Sequence, residues 1–200
     1  GGFGPAQSLL RADQGTSLTI AGLHGTAMGV ASIAAGYANP HLAHKFGRAK
    51  SQWIGLGIFL FGLLLFVISP PVFLTIPATL IAGFGTSMVI NTMLSSMTNH
   101  YGKAAEVAIP QANGIASVGF VTGTALIGTI ASLYPNFWRL GLLLALPVGL
   151  ILVLVGREKN AEDHVPDEGG PQSGKLSAKY WLAWVGFVAC ISSEFATSFW

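Results

Sequence analysis

Residues 51–102 read SQWIGLGIFLFGLLLFVISPPVFLTIPATLIAGFGTSMVINTMLSSMTNHYG and contain no Asp, Glu, Lys or Arg. A helix that crosses a bilayer needs about 20 mostly apolar residues, so this stretch is long enough for two. Pro70-Pro71 divides it, because proline fixes φ and lacks a donor. Strands of a membrane barrel would show alternating segments of about ten residues; these runs are longer and apolar on every side. Backbone in lipid must satisfy its own hydrogen bonds, and the pattern selects helices.

Two more stretches, 14–44 and 107–138, are also free of formal charge. Only 9% of the chain is charged and 52% is hydrophobic, against about 25% charged in a soluble domain. The expected fold is therefore all-α, a polytopic bundle of transmembrane helices. Six spans are predicted, at 17–38, 51–69, 72–97, 105–133, 136–155 and 179–200. Residues 1–10 read as the tail of a helix, followed by a polar turn at Arg11, Asp13, Gln14 and Gly15. Tyr134-Pro135-Asn136 marks a second tight turn, and Pro147 predicts a kink in the fifth span. The chain begins at Gly1 and ends at Trp200 in an apolar run, and reads as an internal piece of a longer protein.

The basic residues give the orientation. Lys45, Arg48, Lys50, Lys103, Arg157, Lys159, Lys175 and Lys179 fall in or beside 39–50, 98–104 and 156–178, which alternate onto one side. The other side has Arg11 and Arg139. Positive residues stay inside, so those three connections are expected in the cytoplasm of a plasma-membrane protein. Residues 156–178 mix acids and bases with Gly and Pro and read as a linker. It separates a helical group at 1–155 from a first helix of a second group at 179–200. Gly22, Gly25, Gly29 and Gly36 in the first span, with Gly114, Gly119, Gly123 and Gly128 in the fourth, are expected to bring helix backbones together.

Within the membrane, polar groups are expensive and mark function. Glu194 is the acid well inside a span. A carboxyl in an apolar setting is suited to taking and releasing a proton, which makes Glu194 the candidate for proton coupling. His24, Asn91, Gln111, Asn113 and Trp200 are candidates to line a substrate cavity. For His24 the plainer role is a packed neutral ring bonded to a backbone carbonyl. For Asn91, Thr92, Gln111 and Asn113 it is hydrogen bonding between the third and fourth spans. Cys190 stands alone, which excludes an intrachain disulfide and a cysteine metal site. His41 and His44 are spaced i, i+3 but lack a third ligand. No metal, cofactor or nucleic-acid partner is expected.

Residues 40–50, PHLAHKFGRAK, connect the first two spans on the predicted cytoplasmic side. They resemble the signature loop of the major facilitator superfamily, G-x-L-A-D-[RK]-x-G-[RK]-[RK]. Leu42, Ala43, Lys45, Gly47 and Arg48 match, whereas Pro40 stands at the first Gly and His44 at the Asp. The cytoplasmic linker at 156–178 is a second feature of that family. The resemblance runs from the end of helix one through most of helix seven. It implies the N-terminal half of a two-half transporter, with the solute site between the halves at mid-membrane and alternating access by rocking. It also implies that Leu42, His44, Lys45, Gly47 and Arg48 form a conformational loop. Its ionic lock is in doubt here, because His44 stands in place of an anion. Glu194 and Trp200, six residues apart, are similar to the first helix of the second half in fucose-permease-like sugar–proton symporters.

The resulting expectation is a proton-coupled secondary transporter of a small, sugar-like solute, monomeric when full length. The alternative is a proton-driven exporter of hydrophobic compounds. Gly114 and Gly123 fit the first spacing of the exporters' motif, G-x8-G-x3-G-P-x2-G-G, but Ile127 breaks the next one. A membrane-embedded enzyme would need convergent catalytic groups, and the chain has no H-E-x-x-H, no G-x-S-x-G and no pair of intramembrane acids. A non-transporting scaffold would lack a polar cavity.

Overall fold

The computed structural model describes residues 3–68, 71–156, 177–178, 181–182, 185–186 and 188–189. The chain divides into two compact units, Gly1–Val165 and Pro166–Trp200. In the second, Trp181 N–H donates to the Ser177 carbonyl at 3.3 Å, and the described residues from 178 onward are helical.

The first unit contains α1 (Phe3–Gln14), α2 (Leu18–Phe46), α3 (Arg48–Ile68), α4 (Val72–Tyr101), α5 (Ala105–Leu133) and α6 (Ala145–Gly156). Short 3-10 turns at Gly102–Ala104 and a longer 3-10 segment at Pro135–Leu144 join them. Among the described residues there is no strand, so the fold is an all-α transmembrane bundle. Among the described residues, three helical runs are long and apolar enough to cross a membrane: Leu18–Phe46, Arg48–Ile68 and Val72–Leu133, the last holding both α4 and α5.

Three cross-helix contacts fix the register of α2 on α4. His24 meets Thr75, Ser32 meets Ser87 and Asn39 meets Thr92. Numbers rise together, so α2 and α4 run parallel. The buried face of α2 is Ala21, His24, Ala27, Ala31, Ala35 and Asn39, a stripe at helical spacing built of small side chains. Helix α3 runs antiparallel to α4: Gly62 lies against Ala78 and Ala82, and Gly55 against Gly85 and Met88.

That α3–α4 seam is where glycine permits close approach. A Cβ on Gly62 would fall 2.8 Å from Ala82 Cα, and one on Gly85 would fall 2.8 Å from Phe59 Cα. The glycines expected to pack tightly do not. A Cβ on Gly22, Gly25, Gly29, Gly36, Gly114, Gly119, Gly123 or Gly128 meets nothing within 4 Å. Alanines, rather than glycines, carry the buried face of α2, and α5 buries only Ala105 and Ile127.

Other expectations need correction at the helix ends. Arg11, Asp13 and Gln14 belong to α1, and only Gly15, at φ +60°, makes the turn. Residues 39–46 continue α2 despite Pro40, and α3 begins at Arg48. The expected 39–50 loop is therefore a helix–glycine–helix corner. Likewise 98–101 belong to α4.

The fifth span is 3-10 at Pro135–Leu144 and α-helical from Ala145. Its change of geometry falls just ahead of Pro147, whose missing donor is harmless in the first helical turn. Ten 3-10 residues rise about 20 Å and twelve α residues about 18 Å, together enough for a core about 30 Å thick.

Candidate functional site

The signature corner is built by Gly47. Its φ of +82° is a conformation that side chains disfavour, and its N–H closes α2 on the Ala43 carbonyl at 2.9 Å. The next residue, Arg48, opens α3. With the Asn99 amide turned so that its oxygen faces the guanidinium, Asn99 accepts from both terminal nitrogens of Arg48. The signature arginine thus ties the start of α3 to the last turn of α4. Leu42 is half-buried, while His44 and Lys45 are exposed. The Lys45 ammonium lies 5.3 Å from the Phe46 ring centre.

At the far end of the same helices a second polar cluster forms. His24 has no exposed surface. The Thr75 hydroxyl oxygen is 2.9 Å from His24 Nε2, 3.1 Å from Gln14 Nε2 and 3.2 Å from the Val72 carbonyl. The hydroxyl donates to the Val72 carbonyl and accepts from the Gln14 amide, while His24 bonds it through Nε2 and meets the Ala21 carbonyl through Nδ1 at 3.3 Å. Beside it, Arg139 Nη2 lies 2.7 Å from Asp13 Oδ2, Nε donates to the same oxygen at 3.0 Å, and Nη1 donates to the Phe66 carbonyl at 3.3 Å. The guanidinium also covers the Trp138 ring at 5.5 Å. Below it Leu10, Phe66, Ala78 and Trp138 form a buried cluster.

Sequence reading missed the Asp13–Arg139 pair, although a signal existed. Asp13 is the sole acid before Glu106, and Arg139 the sole base between Lys103 and Arg157.

The structure separates the sequence-predicted site residues. His24 sits beside Thr75, and Asn91 lies sixteen residues further along α4, about 24 Å at the helical rise. Asn91 is half-buried, and Gln111 and Asn113 are exposed on α5. Thr92 donates to Asn39 of α2 at 2.9 Å, so its partner is on the second helix rather than on α5. Glu194 and Trp200 lie outside the described residues. Among the described residues no three His, Cys, Asp or Glu side chains gather.

A cavity of about 540 Å³ lies among α2–α6. Phe59, Leu63 and Phe66 of α3 face it, with Gly119, Gly123 and Leu126 of α5. Its threonines are spent on their own helices: Thr79 donates to the Thr75 carbonyl, Thr86 to Ala82 and Thr122 to Val118, at 2.8–2.9 Å. None of His24, Asn91, Gln111 or Asn113 lines it.

Long apolar helices and a glycine corner tied by its arginine are the features of a polytopic membrane protein. The sequence profile of the Major Facilitator Superfamily matches residues 1–200, and the chain belongs to that superfamily. Membership makes it an integral membrane protein and a secondary transporter of small solutes. No curated protein and no solved structure matches it.

Proposed function

We propose that this protein moves a small polar solute, sugar-like in character, by proton-coupled alternating access across the plasma membrane. Residues 1–155 form one half of the carrier, 156–178 the cytoplasmic linker and 179–200 the first helix of the other half. The observation that carries the reading is the family match over the whole chain, with the matching signature residues at the α2–α3 corner. Asn91, Gln111 and Asn113 supply amides to solute hydroxyls, with Trp200 as an apolar wall. His24, held by Thr75, sets the α2–α4 geometry at the opposite end. Arg48, anchored on Asn99, couples α3 to α4. The intact transporter acts as a monomer.

Glu194 takes and releases the proton. In the intact transporter reconstituted in vesicles, Glu194→Gln is expected to abolish uphill accumulation of a sugar and its pH dependence. Exchange down a gradient survives, since the amide keeps the shape and much of the hydrogen bonding. Wild-type-like, pH-dependent accumulation in the variant would rule Glu194 out as the coupling residue.

One observation favours the second reading, export of a hydrophobic compound: the apolar lining of the cavity among α2–α6. Proton-driven extrusion of a hydrophobic dye with no sugar uptake would select it.

A further inference from the structure

The cavity among α2–α6 has a size and lining that specify its guest. Its volume, about 540 Å³, lies within the usual range for small-molecule sites, about 300–1,000 Å³, but such sites also carry polar groups that orient the ligand. Here the three threonine hydroxyls donate to carbonyls of their own helices. The remaining wall is Leu, Ile, Val, Phe, Met, Ala and Gly. Water needs two to four polar partners to occupy a buried space, so an apolar guest is favoured over water.

The rim gives the route of entry. Leu126, Leu144 and Val148 line the cavity and are 45%, 47% and 57% exposed. Leu126 lies seven residues before the end of α5 at Leu133, about 10 Å below the helix end at 1.5 Å per residue. In a core about 30 Å thick, a rim at that depth meets hydrocarbon rather than water. Gly119 and Gly123 line the cavity without a side chain, and a Cβ on either would meet nothing within 4 Å.

We infer that this cavity is a lipid site, taking an acyl chain of a membrane lipid between α4, α5 and α6. The inference rests on the spanning fold and not on the identity of the transported solute. An unbranched chain suits a wall of small and apolar residues, and no lining side chain has a free donor to offer a polar solute. The acyl chain acts as a filler between α5 and the other helices.

The test uses a phospholipid carrying a diazirine in mid-chain, incorporated into vesicles with the intact transporter, and peptide mapping of the crosslinks. The expected result is a saturable crosslink concentrated on α4 and α5 residues around Gly83 and Gly123. Gly123→Phe fills the space and lowers that crosslink at least fivefold. Gly114→Phe, on the same helix but outside the cavity, leaves it unchanged. Crosslinks spread evenly over all exposed apolar positions, or unaltered by Gly123→Phe in a variant that melts like the parent, would overturn the lipid site. Displacement of the labelled lipid by a hydrophobic compound that the protein also transports would overturn it too, because the cavity would then belong to the cargo.

Discussion

Thr75 shows how much one hydroxyl can organise. It is wholly buried and touches α1 through Gln14, α2 through His24 and its own helix through Val72. Replacing it with valine keeps the shape and removes the shared partner of the half-buried Gln14 amide and the buried His24 ring, and an unmade buried hydrogen bond costs about 1–3 kcal/mol. Thr75→Val should therefore lower the melting temperature of the detergent-solubilised protein measurably. Thr86→Val, whose hydroxyl serves the Ala82 carbonyl of its own helix, should stay within about 0.5 kcal/mol of the parent, in the range of changes that disturb no buried network. Equal effects from the two would show that the Thr75 cluster contributes nothing beyond a local bond. That His24 packs as a ring bonded to a backbone carbonyl was a reading available from sequence. Its partner was not, since Thr75 is 51 residues away.

At the scale of elements, the α3–α4 seam is the tightest contact, and glycine is required on both sides of it. Gly85→Ala inserts a methyl 2.8 Å from Phe59 Cα, and overpacking of a close seam costs about 1–3 kcal/mol. Gly25→Ala meets open space and replaces the poorest helix former bar proline with the best, so it should melt at or above the parent temperature. Melting curves of the two variants separate these outcomes, and an unperturbed Gly85→Ala would mean that α3 and α4 are not held as described. The presence of small-residue packing was legible in composition. Which glycines do the packing was not, because glycine leaves no side-chain pattern to follow. The helix ends behaved similarly. Pro40 reads locally as a breaker, yet α2 runs through it to Phe46, because burial of Ala35 and Asn39 on the same face outweighs one missing backbone bond. The long 3-10 segment at Pro135–Leu144 also escaped the sequence, whose hydrophobic runs measure length and not turns per residue.

For the whole molecule, the orientation proposed for the bundle rests on charge. Lys103 and Tyr134 stand at opposite ends of α5 and are both exposed, separated by more than the core thickness of about 30 Å. With Cys190→Ala as background, Tyr134→Cys should react with an impermeant thiol reagent in intact cells, and Lys103→Cys only after permeabilisation. The reverse pattern would overturn the inward placement of the basic connections. Charge also ties together the end of the bundle opposite the signature corner. Asp13 and Arg139 close a contact over 126 residues, linking the end of α1 to the start of the fifth span.

The sequence alone determined that this is a bundle of membrane-spanning helices, roughly where those among the described residues begin, and which superfamily it resembles. Those properties depend on the length of apolar runs, on prolines and on a short signature, all of which are local. The tertiary structure decided that α2 lies parallel to α4, that Gly55, Gly62 and Gly85 rather than the other glycines make the close seam, that Asp13 finds Arg139, and that an apolar cavity opens beside α5. Helices in lipid have no hydrophobic force driving particular faces together. Their partners are chosen by shape and by a few distant polar pairs, which hydropathy along the chain does not record.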